Sequence, residues 1–296
     1  MRRSLALLAL LALVGCSAMK SLVVDPVPAP HHQATPRDPA ARLAVTWIGH
    51  ATTLLQLGDK MVLTDPVLTT TVGLISRRNV APGIDAEHLP ALDAVLISHL
   101  HFDHLSLGSL ELIEPKIRKL YMPEGGLVYL TDFSFDAYDV APWETAETDG
   151  LRITAVPAQH NGWRYVLDGA WMHAFAGWIV QYDGLTVFFA GDTGYGPHFR
   201  AIHARFPHID LALLPIAPIH PRGFMQRVHM DPAEALQAFD DLGADHMVPM
   251  HFDTFVNGTD ADGEARETLK TLVAQRGLGD KVSILEIGER ATLLSR

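Results

Sequence analysis

The stretch Ala94-Val95-Leu96-Ile97-Ser98-His99-Leu100-His101-Phe102-Asp103-His104 decides how this chain is read. Its first four residues form an apolar run of the kind that makes a buried strand. A His-x-His-x-Asp-His motif follows at once, placing four metal-binding side chains within six residues. Imidazole and carboxylate are the ligands that zinc and similar divalent ions take. Near strand geometry, side chains alternate with period two, so His99 and His101 point the same way. Asp103 and His104, beginning the next turn, can reach a second, neighbouring position. The spacing therefore predicts ligands for two adjacent ions rather than a solvated histidine patch.

Two ions need more ligands than these four, and three candidates lie downstream. His160 ends the run Ile153-Thr154-Ala155-Val156-Pro157-Ala158-Gln159, and Asp192 follows Thr186-Val187-Phe188-Phe189-Ala190. His251 follows His246-Met247-Val248-Pro249-Met250. Sheet ends and the loops after them are the usual place for chemistry. Gly191 and Gly194 flank Asp192 and allow the backbone to approach an ion or substrate closely.

With these residues stand Thr46-Trp47-Ile48-Gly49-His50-Ala51-Thr52, Leu63-Thr64-Asp65-Pro66, Gly191-Asp192-Thr193-Gly194-Tyr195 and His229-Met230-Asp231-Pro232-Ala233-Glu234-Ala235. In order and spacing, from about residue 44 to 255, the chain resembles the metallo-β-lactamase superfamily. Within it, the chain is similar to the zinc-dependent phospholipase D group that hydrolyses N-acylphosphatidylethanolamine, together with its bacterial relatives. The resemblance implies an α/β protein, a four-layer αββα sandwich, and a two-zinc centre. It assigns His99, His101 and His160 to one ion, Asp103, His104 and His251 to the other, and Asp192 as the bridge. Asp65 matches a carboxylate that orients a ligand histidine; the alternative is a plain Asp-Pro turn.

His229 lies just ahead of a helix start. It is read as a phosphate contact or a proton donor to the leaving group, against a purely structural loop histidine. His50, in a tight Gly-His-Ala turn, is read as structural or as a support for the ligands. His173, His198, His203 and His208 are read as solvated.

The implied reaction is metal-dependent hydrolysis, and the implied substrate an N-acylphosphatidylethanolamine-like phospholipid or another small molecule. The chain departs from the group's pattern at Asn161 and Phe252, where the group has tryptophans. His220-Pro221-Arg222-Gly223-Phe224-Met225 likewise stands where the group has Glu-Pro-Arg-Trp-Phe-Met. These positions are expected at the pocket mouth. The aromatics Trp143, Trp163, Tyr165, Trp171, Trp178, Tyr195 and Phe224 read as core, with a second reading in which Trp163, Trp171 and Phe224, in loop-like sequence, shape an apolar entrance. Two other readings stand beside the phosphodiesterase: a lactonase or other small-ester hydrolase on the same centre, and a non-catalytic envelope lipoprotein.

Met1-Arg2-Arg3 and the apolar run Leu5 to Val14 read as a signal peptide spanning residues 1–15, because the run is too short to cross a bilayer. Leu13-Val14-Gly15-Cys16 resembles a bacterial lipobox, and Cys16 is the only cysteine. Lipidation there would anchor the chain stably, since several acyl chains hold a membrane where one does not. Ser17 after the cysteine points to the outer membrane, facing the periplasm. Residues 16–42 read as a Pro/Ala-rich tether, with His31-His32 incidental, and residues 43–296 as one hydrolase domain.

Net charge is −11, and loss of Arg2 and Arg3 with the signal peptide makes it more negative. Such a surface repels polyanions, which argues against nucleic acid as a partner. Two metals would still make the pocket locally cationic. Asp231-Pro232-Ala233-Glu234 predicts a helix start, with Asp as N-cap, Pro at the first position and Glu three residues after the cap. That helix should stop at Gly243, and a second is expected over residues 263–275.

Overall fold

A computed structural model describes residues 25–73, 76–130, 132–165, 168–170 and 173–296. The strands β1 (Ala41–Gly49), β2 (Thr52–Leu57) and β3 (Lys60–Thr64) form an antiparallel meander. A small hairpin follows, β4 (Thr71–Val72) with β5 (Ser76–Arg77). Then β6 (Ala94–Leu96), β7 (Lys119–Pro123) and β8 (Asp136–Val140) extend the first sheet in parallel from β3.

The second sheet holds β9 (Thr145–Thr148), β10 (Leu151–Val156), β11 (Gly177–Tyr182), β12 (Leu185–Phe189), β13 (Leu211–Pro215) and β14 (His246–Met250). The last strand, β15 (Arg290–Ser295), returns to pair with β1.

Period-two alternation distributes the first sheet's side chains to two cores. Leu43, Val45, Trp47, Leu55, Leu57 and Val62 join the core shared with the second sheet. Ile48, Leu54, Met61, Leu63 and Val95 face the other way. There they meet Leu110 and Ile113 of α1 (Leu107–Ile113).

Beyond the second sheet lie α2 (His198–Arg205), the short α3 (Arg222–Met225), α4 (Pro232–Leu242) and α5 (Glu264–Arg276). Ala235, Leu236 and Phe239 of α4 and Leu269 of α5 are buried in the larger core. Helix, sheet, sheet, helix is the four-layer order expected.

The α4 start is as its sequence predicts. Asp231 accepts from the Glu234 backbone N–H at 2.9 Å, and the Glu234 carboxylate reaches back to the Asp231 N–H at 3.4 Å. Gly243 ends the helix at φ 61°, where a side chain would be strained. The last helix begins at Glu264 because Gly263, at φ 74°, is its cap rather than its first turn.

The described part of the segment read as a tether, residues 25–40, lies along the domain, and Ala41 and Arg42 already belong to β1. Val27 pairs with Asn79 and Ala81, His31 N–H donates to Ile287 O at 3.1 Å, and Gln33 bonds Gly83 and Gly288. His31 and His32, expected as incidental, face Glu286 at 3.1 Å and Asp85 at 3.0 Å. The expected signal peptide and Cys16 fall outside the described residues. Among the described residues, no helix is long and apolar enough to cross a membrane.

Strand direction positions the site. β1, β3 and β6 run the same way in the first sheet, and β10, β12, β13 and β14 run the same way in the second. His50, Asp65, the 98–104 loop, His160, Asp192 and His251 all follow C-terminal ends of these strands. That is where open sheets place their chemistry.

Candidate metal centre

Three imidazoles meet first. His99 Nε2 lies 2.8 Å from His101 Nδ1, which lies 3.4 Å from His160 Nε2. Beside them, side-chain atoms of His50, Asp103, His104 and His251 lie within 4.8 Å of one another. The Asp192 carboxylate stands between the two groups. Its Oδ2 is 3.0 Å from His251 Nε2, 3.2 Å from His104 Nε2 and 3.9 Å from both His99 Nε2 and His160 Nε2. All seven residues carried by the resemblance are therefore brought together, with Asp192 reaching both triads.

Outer hydrogen bonds decide which nitrogen of each ring is available. The Val228 carbonyl can only accept, so His160 Nδ1 carries the proton that it receives at 2.9 Å. Asp65, fully buried, accepts from Ser98 N–H at 2.7 Å, from Ser98 Oγ–H at 2.6 Å and from His104 Nδ1–H at 2.6 Å. Because Ser98 gives its proton to Asp65, its Oγ accepts from His99 Nδ1–H at 2.9 Å. In all three rings Nδ1 is thus engaged outward and Nε2 faces inward. Asp65 is thus an orienting carboxylate as well as the residue of an Asp-Pro turn. His50 supports the ligands in the same manner, with Nε2 3.1 Å from Asp103 Oδ2.

Among the described residues, His101 Nε2, His104 Nε2, His251 Nε2, Asp192 Oδ1 and His229 Nδ1 are buried polar atoms without a hydrogen-bond partner. Orphaned buried acceptors are costly unless something else satisfies them. The Nε2 atoms of His99, His160, His104 and His251, the Nδ1 of His101 and the Asp103 and Asp192 carboxylate oxygens make up the donor set of divalent cations, and the residues fit two such ions.

Charge and burial act strongly here. Burial raises the Asp192 carboxyl, but His104, His251 and His229 overcome it and hold it well below the ordinary carboxylate range. Burial lowers His104, yet Asp192, Asp103 and Asp65 raise it well above the usual imidazole value. Burial pushes His50 down to about 3 and His229 to about 4, and holds His99 and His160 well below the usual imidazole value. His50, His99, His160 and His229 are therefore neutral at neutral pH, whereas His104, protonated among its three carboxylates, must give up its Nε2 proton to hold an ion.

Backbone strain concentrates at the same place. His50, Asp65 and His251 have φ of 56°, 32° and 65°, a region that non-glycine residues seldom adopt. Gly191, at φ 60°, has room for no side chain: a Cβ would lie 2.3 Å from Ser98 Cβ. The Asp192 loop can therefore sit directly on the His-x-His-x-Asp-His loop.

His229 faces the centre, its Nδ1 3.7 Å from Asp192 Oδ2 and its ring 5.1 Å from that of His160. Trp163 packs edge-on against His101 at 4.8 Å, and Phe224 is 65% exposed on α3. Trp171 falls outside the described residues.

Three expectations are corrected. Phe252 is no mouth residue: it is buried and stacks on Trp47 at 4.4 Å, because the chain turns inward after His251. His198 is not solvated but half-buried under the Asp192 loop, 3.2 Å from Thr193 Oγ1, and burial lowers it to about 4. His203 bonds the Leu242 carbonyl at 2.8 Å, linking α2 to the end of α4. Sequence reasoning also left His50 without a specific partner; its Asp103 contact joins residues 53 positions apart, which local pattern cannot show.

The profile of the Beta-lactamase superfamily domain matches residues 60–252. The chain is 34% identical over 246 residues to an uncharacterised protein of Mycobacterium tuberculosis, covering 79% of this chain and 64% of that one. It thus spans just under two thirds of that relative's length. It is 32% identical over 253 residues to the N-acyl-phosphatidylethanolamine-hydrolyzing phospholipase D 1 of Caenorhabditis elegans, covering 79% of this chain and 70% of the nematode protein. Among solved structures it is similar to Igni18, a metallo hydrolase from Ignicoccus hospitalis. The TM-score is 0.64 and the identity 26%, over 84% of this chain and 97% of that one.

Proposed function

From its membership of the beta-lactamase superfamily, to which this chain belongs as a metal-dependent hydrolase, we propose that it is a two-zinc phosphodiesterase acting on an N-acylphosphatidylethanolamine-like lipid. The observation that carries the two-ion reading is the reach of Asp192 Oδ2 to both histidine groups. The lipid reading is supported by the nematode relative and by exposed Phe224 and Tyr165, apolar surface that suits an acyl chain.

Divalent ions, when bound, supply stabilisation of charge on substrate oxygens and lower the pKa of water. The chain's own residues do the rest. Asp65, Ser98 and Val228 hold three imidazole protons outward, so the ligand set needs no rearrangement when an ion arrives. Asp192, kept ionised by its imidazole neighbours, accepts a hydrogen bond and so orients the attacking water.

His229 is held from three sides. Its N–H donates to Met225 O at 2.7 Å, its carbonyl accepts from Arg222 at 3.2 Å, and the preceding carbonyl holds His160. Because burial keeps this ring neutral, its role is to donate a hydrogen bond to a phosphate oxygen rather than to release a proton. A hydrogen bond to a charged group is worth about 1.5–3 kcal/mol, so His229→Ala should lower kcat/KM about 10–100-fold. The loss should be equal for a lipid phosphodiester and a nitrophenyl phosphodiester. A loss confined to the poorer leaving group would instead make His229 a general acid.

The test of the whole reading is a substrate panel on zinc-loaded protein: N-acylphosphatidylethanolamine in mixed micelles, a nitrophenyl phosphodiester, and lactones. Turnover of the lipid phosphodiester is expected. Lactone opening without phosphodiester turnover would keep the metal centre and overturn the substrate. We also propose attachment to the cell envelope through Cys16, the motif for which is Leu13-Val14-Gly15-Cys16.

A further inference from the structure

The His-x-His-x-Asp-His turn is closed on its inner side by its own backbone: His104 and Leu105 N–H both donate to His101 O, at 3.0 and 2.9 Å. Two further carbonyls bracket the turn, at Leu100 and Leu105, residues with no exposed surface. One nitrogen serves both. Arg164 Nη1 donates to Leu100 O and to Leu105 O, each at 2.9 Å. The guanidinium is buried, 5% exposed, and lies 4.4 Å over the Phe102 ring and 5.9 Å from the Tyr129 ring.

The residues on either side of Arg164 grip the same turn. Trp163 sets its ring edge-on to His101 at 4.8 Å, and Tyr165 packs against Phe102 at 5.6 Å. Three consecutive residues thus touch positions 100, 101, 102 and 105. Their own conformation is fixed by Asp168, buried at 4% exposure. It accepts from Arg164 N–H at 3.1 Å, from Tyr165 N–H at 2.9 Å and from the Tyr129 hydroxyl.

We propose that Arg164 is a positioning residue for the metal-ligand turn: it ties the two ends of that turn together from behind and sets how His99, His101, Asp103 and His104 are presented. The role of the turn as a ligand rests on the metal-centre reading above; the grip itself does not. A lysine keeps the charge but ends about one C–N bond, about 1.3 Å, short of both carbonyls. It cannot restore the bridge, as arginine and lysine are not interchangeable at a site of this shape.

The experiment compares wild type with Arg164→Lys and Asp168→Asn. A third variant, Leu269→Ala in α5, lies in the core on the helical face of the second sheet and controls for lost stability. Zinc release from the loaded protein is followed with a chromogenic chelator. Amide hydrogen exchange at His104 and Leu105 is followed in metal-free protein.

Arg164→Lys should speed zinc release about 10–100-fold, the range for removing a support of metal ligands, and speed exchange at both amides at least about 10-fold by the same loosening. Asp168→Asn, which leaves the guanidinium in place, should do both to a smaller degree. Leu269→Ala should do neither beyond its effect on global stability. Wild-type exchange and release in Arg164→Lys overturn the proposal, as does a change in Arg164→Lys no larger than in Leu269→Ala at equal melting temperature. Faster exchange in a protein that takes up no zinc leaves the grip standing and overturns the metal reading instead. If Arg164→Lys does not fold, Asp168→Asn decides by the same two measurements.

Discussion

Asp65→Asn changes one atom and should disable one histidine. The carboxylate has no exposure and accepts three hydrogen bonds, one at Oδ1 and two at Oδ2. The Ser98 backbone N–H keeps the amide oxygen at Oδ1, because an NH₂ there would face a donor. The new NH₂ therefore takes the place of Oδ2, opposite the Ser98 hydroxyl and His104 Nδ1.

Ser98 can adapt, since a hydroxyl both donates and accepts. The imidazole can adapt only by giving up its Nδ1 proton and keeping the one at Nε2, the nitrogen that faces Asp192 at 3.2 Å. The lone pair that would bind an ion is then occupied. Loss of such an outer partner costs about 10–100-fold in metal affinity, which is about 1.4–2.8 kcal/mol. The loss should fall on the ion held by Asp103, His104 and His251, while the His99, His101 and His160 ion stays. Competition titration against a chelator of known affinity measures the two sites. Imidazole nitrogen shifts of His104 in the metal-free variant at neutral pH should show a proton at Nε2 only. Two equivalents bound with unchanged affinities would refute the tautomer argument, and so would a proton at Nδ1 in the variant.

Asp192→Asn should retain at most one zinc equivalent by elemental analysis, since the carboxylate serves both groups; two retained equivalents would show that it bridges nothing. His198, lowered by burial to about 4 from an unfolded value of 6.5, takes up its proton only on unfolding. Its contribution is intact above pH 6.5 and lost as pH falls toward 4, about 2 kcal/mol between pH 7.5 and 5. Chemical denaturation of His198→Asn should show that much less acid destabilisation over this interval, and parallel curves would contradict it. Cys16→Ala should release the protein from the membrane fraction and leave an unlipidated N-terminus by mass spectrometry, whereas unchanged fractionation would remove the anchor proposal.

What could be read in advance was whatever local chemistry writes into consecutive residues. The α4 start is an example: Asp231, Pro232 and Glu234 make their cap among themselves, so tertiary structure had nothing to overrule. The strand runs before His99, Asp192 and His251 are similar, because strands buried on both faces are continuously apolar. Burial of an isolated polar residue could not be read this way. His198 and Phe252 were misplaced because their exposure depends on which distant loop covers them. Arg164 carries no local mark at all; its two acceptors lie about 60 residues upstream, and only the folded chain brings them within reach. The docking of residues 27–33 escaped for a further reason. A Pro/Ala-rich sequence looks the same whether its extended backbone faces water or another segment, as with Gln33 bonding Gly83 and Gly288.

The division of the ligands between the two sheets has a consequence for how the centre comes into being. His99, His101, Asp103 and His104 follow a strand of the first sheet, and His160, Asp192 and His251 follow strands of the second. Neither half can hold an ion in the arrangement seen here, so the ion is a clasp closed only when the halves have met. Its last component, His251, is separated from the first by some 150 residues of chain. During synthesis the first sheet's loop emerges long before its counterpart. Metal capture should then be among the final events of maturation, following collapse rather than guiding it. Refolding in the presence of a chelator should yield the same layered core at the same rate, and metal added afterwards should bind in a separate, later phase.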